Sequence, residues 1–312
     1  MKTNKLLFTA IMSAMLVGCS EGESLNLTNE NPVVYTGSVE KTASRVLLGE
    51  DNMLDWELGD EISIFPFVDV NNQFQVSSID DDGLATFDML DFVDNPDYSD
   101  LDYTYAVYPF YRENSITGEA ITTSVPTILE YTGRENSIKS ALMSAKSDTE
   151  RLYFTNAQGI LRLQLNAVTP FKYGPVASIK LESANNKLSG TATIDYADGD
   201  TPEAKIATGE NYLLVNVDAA LQQDLPASKT GEFAEFYIPV VPTRFAVNDL
   251  TMTVTWQNGE TYVRPVGISF GIVRKKIYTL SHTIEGVPTY SGDLEDVEED
   301  TQAWEGEIVT EP

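Results

Sequence analysis

The feature that most constrains this chain is an alternation of apolar and polar residues with a period of two. It is clearest where Leu250, Met252, Val254 and Trp256 interleave with Thr251, Thr253 and Thr255. Successive side chains of a strand point to opposite faces, so this spacing predicts a strand with one buried and one wet face. The same period runs through Leu161, Leu163 and Leu165, through Tyr103, Tyr105 and Val107, and through Ile62 and Ile64, with a change of register into Phe65 and Phe67. Turn signals separate the runs at Asp82-Gly83, Asn95-Pro96, Asp198-Gly199 and Asn258-Gly259. Helical periodicity is confined to short stretches at 137–143 and 219–225, below the length of an ordinary globular helix. The chain is therefore expected to be all-β, with many short strands packed as sandwiches and a boundary near Asn156.

The first residues follow a different logic. Lys2 and Lys5 precede an apolar run from Leu6 to Val17 that is too short to span a bilayer, and Gly18-Cys19 follows it. That order reads as a cleaved export signal over 1–18, with Cys19, the one cysteine of the chain, as the lipidated first residue. The polar stretch 19–31 reads as a flexible tether. Loss of the leader removes two of the 20 basic residues and none of the 48 acidic ones, leaving a formal charge of 18 − 48 = −30. Such a surface repels nucleic acid and anionic headgroups, so attachment to the outer membrane is expected through acyl chains.

Several chemistries find little support. His282 is the only histidine and reads as an edge-strand residue, which leaves no His-rich metal site and makes a Ser-His-Asp triad improbable. No Gly-rich segment leads from a strand into a helix as phosphate binding requires. Asp80-Asp81-Asp82-Gly83 and 195–200 offer oxygen ligands without the spacing of a calcium loop, and the aspartates of 91–102 read as a charged surface loop. The expectation is no enzyme, no cofactor and no metal. The 28 residues from Glu285 to Pro312 hold ten acidic residues and no Lys or Arg, as solvated coil does. Within them Trp304, Gly306 and Ile308 alternate with Glu305 and Glu307 as in a strand.

Taken in order, these segments resemble the fimbrillin-like lipoproteins of anaerobic Gram-negative bacteria. Arg45 precedes Trp56-Glu57-Leu58-Gly59-Asp60-Glu61-Ile62-Ser63-Ile64-Phe65, which is similar to the family's W-x-x-G-D-x-I-x-[IV]-[FY] stretch. Tyr105-Ala106-Val107-Tyr108-Pro109 is similar to its Y-A-x-Y-P segment, and Phe154-Thr155-Asn156-Ala157-Gln158-Gly159-Ile160-Leu161 to the strand that follows. Leu188-Ser189-Gly190-Thr191-Ala192 and Tyr237-Ile238-Pro239-Val240-Val241-Pro242 extend the likeness.

The resemblance implies two transthyretin-like β-sandwich domains, at 32–155 and 156–286, and a tail at 287–312. It implies a structural or adhesive pilus subunit at the cell surface, with other pilin subunits and a trypsin-like protease as partners. In that family a leading strand fills a groove, cleavage after a basic residue releases it, and the terminal strand of another subunit replaces it by β-augmentation. Carried onto this chain, Arg45 is the cleavage candidate, 32–39 the released strand, and Trp304 and Ile308 the donor side chains. The groove is expected in the second domain, and a leading strand locked between neighbours on both sides would leave the exchange no vacancy. The acidic tail ending in Pro312 departs from a stalk donor, which leaves anchor, tip and non-polymerising roles open. A rival expectation, drawn from Tyr content and from Trp56, Trp256 and Trp304, is a monomeric surface protein that binds glycans.

Overall fold

The strand expected from the threonine alternation is present over Leu250–Trp256 (β18), with its four apolar residues buried and its three threonines half-buried. The computed structural model describes residues 34–39, 56–67, 70–91, 100–133, 140–169, 174–199, 202–222 and 224–285. Cys19, Arg45, Trp304 and Ile308 all lie outside them. Among the described residues the elements are twenty-one strands and two three-residue 3-10 turns, so the all-β expectation holds. The stretches 137–143 and 219–225 are not helical where they are described: Met143 opens a strand, and 219–221 form a turn.

The first half closes on itself instead of stacking two sheets. Its strands are β1 (Tyr35–Val39), β2 (Glu61–Phe67), β3 (Asn72–Ile79), β4 (Ala85–Asp91), β5 (Asp100–Tyr108), β9 (Met143–Ser147) and β10 (Arg151–Asn156). They run round a barrel in the order β1-β10-β9-β5-β2-β3-β4, with β1 paired back to β4. Closure leaves no free edge. The entry to β2 explains the Trp-x-x-Gly-Asp stretch. Gly59 takes φ +94°, where a Cβ is unfavourable, and the Asp60 carboxylate accepts the Glu57 N–H at 2.8 Å. This turn delivers Trp56 into the barrel, edge-on to Phe87, Tyr108 and Phe154 at 5.2, 5.6 and 4.9 Å between centroids.

Alternation on β2 and β5 serves two cores. Ile62, Ile64 and Ala106 join Phe74, Phe87 and Phe154 inside the barrel, whereas Phe65, Tyr105 and Val107 join a larger core built on the later strands. The expected register change is a bulge between Phe65 and Phe67. Tyr103 departs from the expectation: it is 40% exposed, with the Lys146 ammonium 4.4 Å from its ring centroid.

The later strands form β11 (Gly159–Ala167), β16 (Ala234–Val240) and β21 (Ile277–Ile284) in one sheet, ordered β16-β11-β21. A five-stranded sheet is ordered β19-β18-β12-β15-β8, from β8 (Ile128–Tyr131), β12 (Val176–Ser183), β15 (Tyr212–Val217), β18 and β19 (Thr261–Pro265). A four-stranded sheet, β14-β13-β7-β6, takes β6 (Ser115–Thr117), β7 (Ala120–Val125), β13 (Ser189–Asp195) and β14 (Ala204–Glu210). The remaining strands, β17 (Thr243–Phe245) and β20 (Phe270–Ile272), pair with each other. β10 ends at Asn156 and β11 opens three residues later in another sheet. Yet β7 and β8 precede Asn156 and pair with β13 and β15 beyond it, with β6 joined to β7, so the sheets do not divide as 32–155 and 156–286.

Candidate functional site at the leading strand

The leading strand is not lodged in a groove of the second half. β1 lies within the barrel, parallel to β10 over Thr36–Val39 and antiparallel to β4 over Tyr35–Gly37. It is thus hydrogen-bonded on both sides, and the expected standing vacancy is not what these residues form. The seat of β1 is small. Five residues make it, and the polar Thr36 and Ser38 face outward.

Three positions face inward. Tyr35 is 7% exposed and meets Phe74 edge-on at 5.4 Å. Burial pushes its phenol pKa upward, opposed by a hydrogen bond with Thr104. Gly37 sits where a Cβ would lie 2.6 Å from Cε2 of Phe87 and 3.3 Å from the Leu152 carbonyl oxygen. Phe87 is itself held edge-on by Trp56, so the ring has little room to yield. Val39 is half-buried against the same aromatic cluster. The seat therefore accepts an aromatic, then a residue without a side chain, then a branched aliphatic. Outside, Thr36 is in register with Arg151 on β10 and Thr86 on β4, and Ser38 with Tyr153. Arg151 lies over the exposed Tyr153 ring at 5.2 Å.

Sequence reasoning named 32–39 and Arg45 but not Tyr35, Gly37 or Phe87. The available signal was Gly37 itself, since glycine inside a strand marks a close approach. The other polar groups singled out from sequence serve their own folds. The Asp80 carboxylate accepts the N–H groups of Asp82 and Leu84 at 3.0 and 2.8 Å, and that of Asp195 accepts the Ala197 N–H at 2.9 Å. Among the described residues no three His, Cys, Asp or Glu side chains gather as a metal site. His282 lies inside the edge strand β21, and its Nε2 is 2.6 Å from the Tyr262 hydroxyl. Trp56 and Trp256 are buried in the cores at 4% and 3% exposure, which removes two of the three tryptophans that motivated glycan binding.

A second polar cluster lies on β11 and β16. Arg162 and Gln164 both donate to the Glu235 carboxylate, and the Tyr237 hydroxyl donates to its other oxygen at 2.9 Å. Burial alone would raise the Glu235 pKa, but these donors hold it below the ordinary value. The group ties neighbouring strands and contains no nucleophile poised beside a base.

No family model matches the chain, and no curated protein matches it by sequence. Solved structures do. A candidate cell adhesion protein from Bacteroides ovatus is 14% identical, with a TM-score of 0.50 over 81% of this chain and 91% of that one. A fimbrial protein from Bacteroides vulgatus is 14% identical with a TM-score of 0.36, covering 81% of this chain and 96% of that one. The C-terminally truncated tip fimbrial protein Mfa3 from Porphyromonas gingivalis is 10% identical with a TM-score of 0.37, covering 82% and 95%. At these identities the Bacteroides ovatus likeness establishes a common fold.

Proposed function

We propose that this chain is a fimbrillin-like surface lipoprotein, a structural or adhesive subunit of a pilus and not an enzyme, anchored to the outer membrane through lipid on Cys19. The fold it shares with a candidate cell adhesion protein and the motif order from Arg45 to Pro242 both support this reading. The observation that carries it is the seat of β1, a short strand bonded to β4 and β10 whose inward side chains are few.

The exchange takes a modified form. No groove stands open beforehand. Cleavage after Arg45, six residues past Val39, detaches β1 from the rest of the chain, and its departure opens the gap between β4 and β10. An open barrel edge invites another strand, and residues 287–312 of a second copy supply one. Subunit follows subunit in this head-to-tail contact.

Mass spectrometry and native gels test it. Chain isolated from the outer membrane should carry lipid on Cys19 before processing and begin at Val46 afterwards, and only the processed form should give a ladder of oligomers. Arg45→Ala should abolish both the Val46 product and the ladder. A ladder that persists undiminished in Arg45→Ala, or its absence from processed wild type, sinks the assembly mechanism.

A further inference from the structure

The seat of β1 reads as a stencil: an aromatic at position 35, glycine at 37 and a branched aliphatic at 39, with outward residues between. Glycine is enforced by geometry, since any Cβ at Gly37 meets the Phe87 ring at 2.6 Å. The aromatic is enforced by Phe74 and by the hydrogen bond to Thr104. Aromatic-x-Gly-x-(Val, Leu or Ile) occurs in the chain at Tyr35-Thr36-Gly37-Ser38-Val39 and at just two other places, both in the tail. These are Tyr290-Ser291-Gly292-Asp293-Leu294 and Trp304-Glu305-Gly306-Glu307-Ile308.

Resting on the exchange reading above, we infer that residues 290–294 of a second copy are the in-register occupant of the β1 seat, with Tyr290 replacing Tyr35, Gly292 replacing Gly37 and Leu294 replacing Val39. The two tail segments differ in how closely they copy the resident strand. Tyr290 repeats Tyr35 and keeps a phenol hydroxyl for Thr104, whereas Trp304 must fit a larger ring into a site where Tyr35 is only 7% exposed. Ser291 takes the outward place of Thr36 between Arg151 and Thr86, a hydroxyl for a hydroxyl. Asp293 takes the place of Ser38 beside Tyr153. In the other segment both outward places carry carboxylates. Glu305 would gain Arg151 yet also face Asp88, an exposed acid on β4 two residues from Thr86.

Position along the chain points the same way. Only residues 286–289 separate Tyr290 from Glu285, the end of the described fold, so an extended link reaches about 13–15 Å. Trp304 is separated by 18 residues, 286–303. A short link fixes one subunit close to another.

Glycine substitution in the tail separates the segments. Processed chain carrying Gly292→Val should lose about fivefold or more of its ladder, since overpacking at the Phe87 contact costs about 1–3 kcal/mol. Gly306→Val should assemble within about twofold of wild type, a change of less than about half a kcal/mol. In the processed chain, which begins at Val46 and so lacks Cys19, Arg151→Cys combined with Ser291→Cys should form an intermolecular disulfide, because position 36 is in register with Arg151. A ladder retained by Gly292→Val, or lost by Gly306→Val, overturns the assignment while leaving strand exchange intact. A disulfide that this double variant forms only within one monomer overturns it too. Absence of a ladder from the processed wild type defeats the exchange reading itself.

Discussion

Two strands that pair in parallel with a neighbour, one before Asn156 and one after it, are built differently. β1 meets β10 over four residues, and its fully buried positions are Tyr35 and Gly37. β21 meets β11 over eight residues in unbroken register, and Tyr278, Leu280, His282 and Ile284 are all buried. β1 has partners on both sides while β21 stands at the edge of its sheet. The number of neighbours therefore does not measure permanence. What matters is the apolar area each strand contributes, at about 25 cal/mol per Å². A short strand with glycine at its centre leaves little area behind when it departs, whereas a long strand with a filled face does not leave without unfolding its sheet.

The sharpest way to break this contrast is to damage each core. Trp56→Ala empties the aromatic centre of the barrel and should cost about 3–5 kcal/mol, seen as a lower denaturant midpoint and earlier loss of the leading segment to protease. Leu161→Ala, at a buried position of β11, should cost about 2–5 kcal/mol without speeding that proteolysis. Equal proteolysis in both variants would mean that β1 and the second core open together. Gly37→Val should cost about 1–3 kcal/mol through the Phe87 contact, raising cleavage at Arg45 while the midpoint of the later strands stays put.

The smallest effect concerns Glu235. Its pKa is depressed in the folded chain, so its stabilisation is present above the ordinary carboxylate value and fades as pH falls through the folded value. Since the side chain keeps 31% exposure, Glu235→Gln should cost only about 0.3–1 kcal/mol at neutral pH. The difference from wild type should vanish in acid, and β1 proteolysis should be unaffected at either pH.

Much of the strand content was legible because burial on one face writes itself into alternate residues, as at Leu250–Trp256. Tyr103 misled for the same reason: an aromatic on the outer face follows the period but stays 40% exposed beneath the Lys146 ammonium. The barrel was not legible. Its closure depends on Tyr35–Gly37 finding Ala85–Phe87 and on Thr36 finding Arg151, pairings between distant segments that leave no local periodic trace. The crossing of β6, β7 and β8 into the later sheets was hidden likewise, since Ala120–Val125 alternates equally well in either half. The seat at Gly37 needed coordinates, because only they show that Phe87 occupies the space a side chain would take.

The parallel run of β21 beside β11 has a mechanical consequence. β11 begins at Gly159, directly after the barrel's last strand, and β21 finishes at the opposite end, where the tail departs. Tension between barrel and tail therefore pulls this pair lengthwise, so that its hydrogen bonds share the load and yield in concert, not one after another as in peeling. Under such tension survival is governed by the rate of unfolding, and shear loading keeps that rate low.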